Sequence, residues 1–340
     1  MRNRERVEPT WFEKARRKVK DTFYGVSVAV NHKLYPNGKK AASAGARRRK
    51  ETGFIIFMLF IPVCNFLIFY VYCNFSSILL AFQQSNPDGS YFFTADNFVQ
   101  VFQKLWKGGE MLNQSIRNTL IFFIFDNGVI LPLSLFLSFF FYKRIALKSY
   151  FRFMFYVPSI VSSVVMTTLY KYLLDANGPV GMLYQALTHA ESVPAFFNSK
   201  EYAMWALLFY NLWTGFSVNL LLIGGAMARI PDETVEAALL DGVGFWRELF
   251  SITFPMIWPT LSTIIICAAS EVLTASGPVL LLTGGSGETY TLSYYIYDQV
   301  QLQNQYNAPA ALGLVLTAFT FPIVMITRWL TGKVYADVEF

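Results

Sequence analysis

Long apolar runs separated by short polar segments dominate the pattern along this chain. No charged residue occurs in residues 52–87, 202–228 or 299–327. A helix that crosses the hydrocarbon core of a bilayer needs about 20 consecutive apolar residues, so each of these runs is long enough to span a membrane. The whole pattern predicts an all-α polytopic membrane protein with about six membrane-spanning helices, at residues 54–82, 118–142, 153–174, 203–227, 255–282 and 308–327.

Composition supports the same class. The chain has 340 residues, of which 54% are hydrophobic and 15% are charged, and its mean hydropathy is +0.38. Soluble domains carry about 25% charged residues, so a cytosolic enzyme is disfavoured, and collagen and disordered chains are excluded. The three cysteines lie inside apolar runs without metal-ligand spacing and imply no disulfide framework.

The basic residues predict which side of the membrane each loop faces. Most of the 28 Lys and Arg residues fall in residues 1–50, in the loops after the second and fourth spans, and after the sixth span. The positive-inside rule places that side, and with it both termini, in the cytoplasm of a multi-pass plasma-membrane protein. Five basic residues remain for the opposite side: Lys104, Lys107, Arg117, Lys171 and Lys200.

This distribution divides the chain into a basic cytoplasmic segment (1–52), a transmembrane domain (53–331) and a short cytoplasmic tail (332–340). The basic segment can serve orientation and attraction to anionic lipid headgroups. Nucleic-acid binding has no other support in the sequence, so the lipid bilayer is the expected partner of this segment.

Motifs for a catalytic or nucleotide-binding site are missing from the sequence. It contains no G-x-x-x-x-G-K-[ST] phosphate-binding loop, no zinc-binding His-Glu-x-x-His and no Ser/His/Asp set. We therefore expect no catalytic residues, no metal site and no cofactor bound by this chain.

The loop after the fourth span, residues 229–255, carries the most specific signal. Two acidic residues open a predicted helix, where they favour the positive end of its dipole, and Gly242 is suited to the left-handed conformation that ends a helix. Val235, Ala238 and Leu239 are expected to share one face. The small Ala237 and Ala238 allow another surface to approach the backbone closely.

This loop, here called the EAA loop, resembles the EAA motif of bacterial ABC-transporter permeases, the membrane subunits of binding-protein-dependent importers. The matching positions are Glu236-Ala237-Ala238, Asp241-Gly242, Phe250, Ile252-Thr253 and Pro255. Val243 and Phe254 replace the usual Ala and Leu of carbohydrate importers. The resemblance covers residues 54–330 and includes Asn118-Thr119-Leu120 and Val157-Pro158.

The resemblance implies the architecture of a type I ABC importer permease, with the EAA loop as a cytoplasmic coupling helix. A dimer of separate ATPase subunits would bind ATP and Mg²⁺ and move this helix. The further partners implied are a second, homologous permease subunit in a heterodimer, an extracytoplasmic solute-binding protein and a carbohydrate substrate. The coupling residues would be Glu236, Ala237, Ala238, Asp241 and Gly242.

Polar residues inside the predicted spans mark a candidate transport path, because ionisable side chains are costly in lipid. Asp126 lies in the second span, and Glu271 is expected near the middle of the fifth. Asn211, Trp213 and Asn219 of the fourth span offer hydrogen bonds and an aromatic face for a sugar. Each of these residues could instead serve only a bond between helices.

Three other functions stay open. A proton-coupled secondary transporter could use Asp126 and Glu271, although internal repeats typical of that class are not evident. An ABC permease for a non-sugar polar solute, such as a phosphorylated polyol, would have the same EAA loop. A membrane enzyme is the third, without a visible catalytic constellation.

Overall fold

The computed structural model describes residues 44–85, 91–107, 109–143, 148–189 and 192–334. Most of the predicted basic segment 1–52 and of the predicted tail 332–340 lies outside the described residues, and the basic run at 47–50 is described by its backbone alone. The chain forms two compact units, Met1–Ser76 and Ser77–Phe340.

In the first unit, one helix exposes apolar side chains all round. Helix α1 (Ala44–Asn65) continues through a π-helical stretch (Phe66–Tyr72) into α2 (Cys73–Ala81), whose last residues belong to the second unit. Its large side chains are exposed along the whole length from Phe54 to Tyr72. A helix that is hydrophobic on every face suits lipid, where its backbone groups are satisfied within the helix itself.

In the second unit the end of α2 is followed by two paired strands, and the remaining regular elements of its described residues are helices. Strand β1 (Gln83–Ser85) pairs antiparallel with β2 (Tyr91–Phe93). The helices that follow are α3 (Asp96–Lys107), α4 (Glu110–Phe125), α5 (Leu131–Tyr142), α6 (Lys148–Ile160), α7 (Ser163–Leu174), α8 (Pro179–Thr188), α9 (Ala203–Met227), α10 (Asp232–Leu240), α11 (Phe245–Glu248), α12 (Phe254–Met256), α13 (Trp258–Ser270), α14 (Val279–Leu282), α15 (Leu292–Tyr297) and α16 (Asn307–Val334). π-Helical turns at Asp126–Ile130, Leu249–Thr253 and Asp298–Leu302 join α4 to α5, join α11 to α12, and follow α15.

Within the described residues, four continuous helical segments are long and apolar enough to cross a membrane: Thr52–Ala81, Glu110–Tyr142, Ala203–Met227 and Asn307–Val334. Two bent pairs raise the number to six if each pair is one span, namely Ser149–Ile160 with Ser163–Thr188 and Phe245–Met256 with Trp258–Ser270. Each predicted span overlaps one of these six, so the prediction of an all-α protein with about six spans is confirmed. We call Glu110–Tyr142 span two.

The third and fifth predicted spans are not continuous helices. The chain turns by 104° between α6 and α7, where Ser162 has the non-helical angles φ −54° and ψ 136°, and by 74° before α13. The second bend is explained by Pro259 in the first turn of α13, because proline lacks an N–H and its ring excludes the preceding helical turn. The fifth span was expected to reach residue 282, but its helix ends at Ser270, and Gly277 at φ +50° interrupts the chain before α14.

Helix α9 forms the centre of the second unit. It packs against α5, α6 and α13, and Leu207, Ile223 and Met227 along its length are fully buried. Helix α16 packs against α13 and α3, and the indole Nε1 of Trp258 donates to the backbone oxygen of Thr331 at 3.1 Å. These contacts hold span two, α9 and α13 side by side, which positions the polar residues described next.

Candidate functional site

The EAA loop forms a short helix with a well-defined end. Helix α10 ends in a left-handed cap at Gly242, whose φ is +70°. The Gly242 N–H donates to the carbonyl of Leu239 at 3.1 Å, and the Val243 N–H donates to the carbonyl of Ala238 at 3.0 Å. This pair of bonds is a Schellman cap, so the expected role of Gly242 in ending the helix is met by the backbone geometry.

The outer face of α10 carries most of the predicted coupling residues. Glu236, Ala237, Asp241 and Gly242 are exposed, whereas Ala238 is only 6% exposed. Ala238 therefore lies on the covered side of the helix, and its exposed neighbours form the outer surface. Leu239 was expected to share one face with Val235 and Ala238, but its side chain is 60% exposed, whereas Ala238 is buried and Val235 packs half-buried on the core.

An ion pair with a buried carboxylate and a half-buried ammonium anchors the segment that follows α10. Both carboxylate oxygens of Glu248 in α11 accept hydrogen bonds from Lys143 Nζ at the end of span two. The Glu248 side chain is 4% exposed, and the ammonium of Lys143 lies 5.4 Å from the ring centroid of Phe139. Neither residue was singled out from the sequence, because they are 105 positions apart and no local pattern links them.

Aromatic ring pairs also join the EAA loop to span two. The rings of Phe139 and Phe245 meet edge to face at 4.9 Å, and Phe136 stacks on Trp246 at 5.8 Å. Such pairs add to the stabilisation that burial of their area supplies. The EAA loop is thus fixed to span two by both charge and packing.

Four of the five predicted path residues line one cleft between span two, α9 and α13. Asp126, Asn211, Asn219 and Glu271 contribute to its wall, and its volume is about 370 Å³. The amide Nδ2 of Asn211 donates to Asp126 Oδ1 at 2.5 Å. Asp126 lies in the π-helical turn of span two, a deviation from regular helix that often occurs at functional sites.

Two predictions about the transport path were wrong: the place of Trp213 and the position of Glu271 within its helix. Trp213 lies outside the cleft lining and packs on Tyr170 and Tyr210, with centroid separations of 6.3 and 6.4 Å. Glu271 is not in the middle of a helix but directly follows the last residue of α13, where φ is −97° and ψ is 2°. Its exposed side chain therefore sits where the helix ends.

A second cleft of about 440 Å³ adjoins the first through Asn211, which lines both. Its wall adds hydroxyl groups that the sequence reading did not select: Ser159, Ser163, Thr167, Tyr210 and Thr214. The signal that could have identified Tyr210 and Thr214 is their position beside Asn211 in α9. Together the two clefts offer carboxylate, amide and hydroxyl groups in a mainly apolar surface.

The other end of span two holds the loop that precedes α15. Asn118 Nδ2 donates to the backbone oxygens of Glu288 and Tyr290 at 2.7 and 2.8 Å, and Thr119 Oγ1 accepts from the Leu292 N–H at 2.9 Å. Glu288 also forms an exposed ion pair with Lys200. Span two therefore contacts this loop at one end and the EAA loop at the other.

Metal binding has no candidate site in the described ranges, since no group of three His, Cys, Asp or Glu side chains could hold a metal ion there. The carboxylates of the first cleft come from Asp126 and Glu271 alone. The expectation that this chain binds no cofactor stays a prediction.

Comparison with known proteins identifies the family. Residues 128–339 match the model of the inner membrane component of binding-protein-dependent transport systems. The multiple sugar-binding transport system permease protein MsmF of Streptococcus mutans is 28% identical, over 50% of this chain and 58% of its own length. The chain thus spans less than two thirds of that relative. The diacetylchitobiose uptake system permease protein NgcF of Streptomyces coelicolor is 26% identical, over 84% of this chain and 86% of its own length.

A solved structure has the same fold. A chain of a bacterial alginate ABC transporter, in complex with an alginate pentasaccharide-bound periplasmic protein, superposes with a TM-score of 0.73. The superposition covers 86% of this chain and 99% of that chain, at 19% sequence identity. The resemblance first seen in the EAA loop is confirmed by these comparisons, and the chain belongs to the family of inner membrane components of binding-protein-dependent transport systems.

Proposed function

We propose that this chain is one permease subunit of an ATP-driven importer that takes up a carbohydrate, an oligosaccharide or polysaccharide, delivered by an extracytoplasmic solute-binding protein. Its partners are an ATPase dimer, which binds ATP and Mg²⁺, and a second, homologous permease subunit. The chain itself is not an enzyme. Both termini and the EAA loop face the cytoplasm of a bacterium, as the distribution of Lys and Arg favours.

The observation that carries this proposal is the build of the EAA loop. Its outer face, with Glu236, Ala237, Asp241 and Gly242, is open to a partner, while the segment behind it is tied to span two by Lys143 and Glu248. A load applied to α10 is therefore resisted by membrane helices rather than absorbed by a loose loop. Such a surface suits docking by a separate motor protein.

A carbohydrate is supported by the chemistry of the two clefts and by the relatives. Sugars present many hydroxyls, and Asp126, Asn211, Asn219 and Glu271 can donate or accept bonds to them. Tyr210 adds an aromatic ring beside the second cleft. The names of MsmF and NgcF state that those proteins transport sugars.

The test is transport by the complete complex in proteoliposomes, with the ATPase, the second permease and the solute-binding protein. ATP hydrolysis and uptake are measured across a panel of glycans and a phosphorylated polyol. We expect glycan-stimulated hydrolysis and uptake, and loss of uptake with Gly242→Asp or Glu236→Lys although the complex is folded. Normal uptake by either variant would contradict the docking role, and stimulation by the polyol alone would contradict the choice of carbohydrate.

One observation favours a second candidate. Asp126 and Glu271 share a cleft, as proton-coupled transport through paired carboxylates would require. In that case a pH gradient without ATP would drive uptake by this chain reconstituted alone. Uptake only with ATP and the ATPase present would exclude it.

A further inference from the structure

The charge pair between Lys143 and Glu248 differs from an ordinary surface ion pair. The side chains of Lys143 and Glu248 are 29% and 4% exposed. The other ion pair described above, between Lys200 and Glu288, has side chains that are 72% and 45% exposed. An exposed pair contributes little because water and salt screen it, whereas removal of one partner from a buried pair leaves an uncompensated charge.

The position of the pair gives it a mechanical consequence. Glu248 belongs to α11, seven residues after Asp241 of the proposed docking surface, and the carboxylate is held on both oxygens by Lys143. The rings of Phe139 and Phe245 pack beside the pair at 4.9 Å. A displacement of α10 and α11 must therefore either break this contact or carry the end of span two along.

Span two extends from this contact to the transport cleft. It runs as one helical segment from Glu110 to Tyr142, and Asp126 in it lies about 25 Å from Lys143 at 1.5 Å per residue. A continuous helix transmits an axial or lateral displacement over this distance because its hydrogen bonds resist stretching. At its far end Asn118 and Thr119 hold the loop before α15, so one element touches the EAA loop, the cleft and that loop.

We propose that Lys143 and Glu248 are positioning residues that couple movement of the EAA loop to span two, and through it to the cleft at Asp126. This inference rests on the proposed function, since it assumes a motor that moves the EAA loop. It adds a specific link between the docking surface and one wall of the transport path. It also predicts that the pair determines how much solute is moved for each ATP that is hydrolysed.

The experiment compares variants of this pair in the complete reconstituted complex. Glu248→Gln and Lys143→Met each remove one charge, and the double variant Lys143→Glu with Glu248→Lys restores the pair with reversed polarity. The matched controls are Lys200→Met and Glu288→Gln, which remove the same charges from the exposed pair. Solute uptake and ATP hydrolysis stimulated by the solute-binding protein are both normalised to the amount of assembled complex.

We expect each single variant to keep stimulated hydrolysis within about twofold of wild type while uptake per ATP falls. Coupling between two sites is typically worth a factor of about 5–150. We therefore expect the ratio of uptake to ATP hydrolysis to decrease by a factor of that size. The reversed pair is expected to recover most of the ratio, and both control variants to keep it. Lys143→Arg retains the charge and is the conservative control, so we expect its ratio of uptake to hydrolysis to stay near that of wild type.

Two outcomes would overturn the inference. One is a wild-type ratio of uptake to hydrolysis in Glu248→Gln. The other is a parallel loss of uptake and hydrolysis that the reversed pair does not recover, which would mean that the pair serves folding alone. Failure of the proposed function is distinguishable, because the wild-type complex itself would then show no ATP-dependent uptake.

Discussion

Replacement of Gly242 by alanine tests whether the left-handed cap of α10 is needed for docking. Gly242 has φ +70°, and a Cβ at this position would meet no atom within 4 Å. The added methyl group therefore clashes with nothing in this chain, and the cost is confined to the backbone. For an L-residue other than glycine, the left-handed conformation costs about 1–2 kcal/mol.

That cost has a calculable effect on the population of the cap. A change of about 1–2 kcal/mol alters an equilibrium by a factor of about 5–30. The bonds at stake are those from the Gly242 and Val243 N–H groups, at 3.1 and 3.0 Å. If the ATPase binds only the capped form, its apparent affinity falls by as much as the capped fraction does. We expect Gly242→Ala to weaken binding of the ATPase dimer, by up to about 30-fold.

Two variants separate the backbone effect from the added bulk. Gly242→Asn retains access to the left-handed region, so we expect it to bind better than the alanine variant although its side chain is larger. Gly244→Ala adds the same methyl group two residues away, where φ is −73° and open space also surrounds the Cβ, and is expected to bind nearly normally.

The assay is a titration of the ATPase dimer onto the detergent-purified permease pair, followed by uptake in proteoliposomes. Equal affinity for the wild-type and Gly242→Ala complexes, with equal uptake, would refute the requirement for the cap. Equal losses for alanine and asparagine would show instead that the docked partner needs the empty space above the glycine.

Three further changes test the packing that positions the site, each by the melting temperature of the purified complex and by uptake. Asn118→Ala removes two bonds to loop carbonyls at 2.7 and 2.8 Å from a fully buried side chain, so we expect a loss of about 1–3 kcal/mol and reduced uptake; an unchanged melting temperature would contradict this. Gly277→Ala places a Cβ 2.6 Å from the ring of Phe122 at φ +50° and is expected to destabilise, with partial rescue by Phe122→Leu if the contact is the cause. Trp258→Phe loses the bond to the Thr331 carbonyl at 3.1 Å and is expected to cost about 0.5–1.5 kcal/mol, whereas no change would mean that packing alone holds α16 there.

Features that depend on neighbouring residues could be predicted from the sequence. A membrane span needs only a sufficient run of apolar residues, and each of the six predicted spans overlaps a helix or a bent helix pair. The EAA loop is likewise contiguous, so the helix around Glu236 and its end at Gly242 follow from local acidic and glycine signals. The family was recognisable for the same reason.

Features that join distant parts of the chain could not be predicted from the sequence. The period of α10 permitted Leu239 on its inner face, but the neighbouring core covers Val235 and Ala238 and leaves Leu239 exposed. The end of α13 at Ser270 could not be predicted because the apolar run continues past it. Gly277, where a Cβ would meet the ring of Phe122, then adopts φ +50° before α14 begins.

The apolar runs and the EAA loop thus determined the class of protein and its proposed docking surface, because both are encoded in adjacent residues. Tertiary structure decided which of the costly polar side chains meet. It placed Asp126 beside Asn211 across two helices and paired Lys143 with Glu248 over 105 positions. Burial of a charge or an amide in an apolar surrounding is tolerated only with a partner, and the identity of that partner depends on how the helices pack rather than on their sequence neighbours.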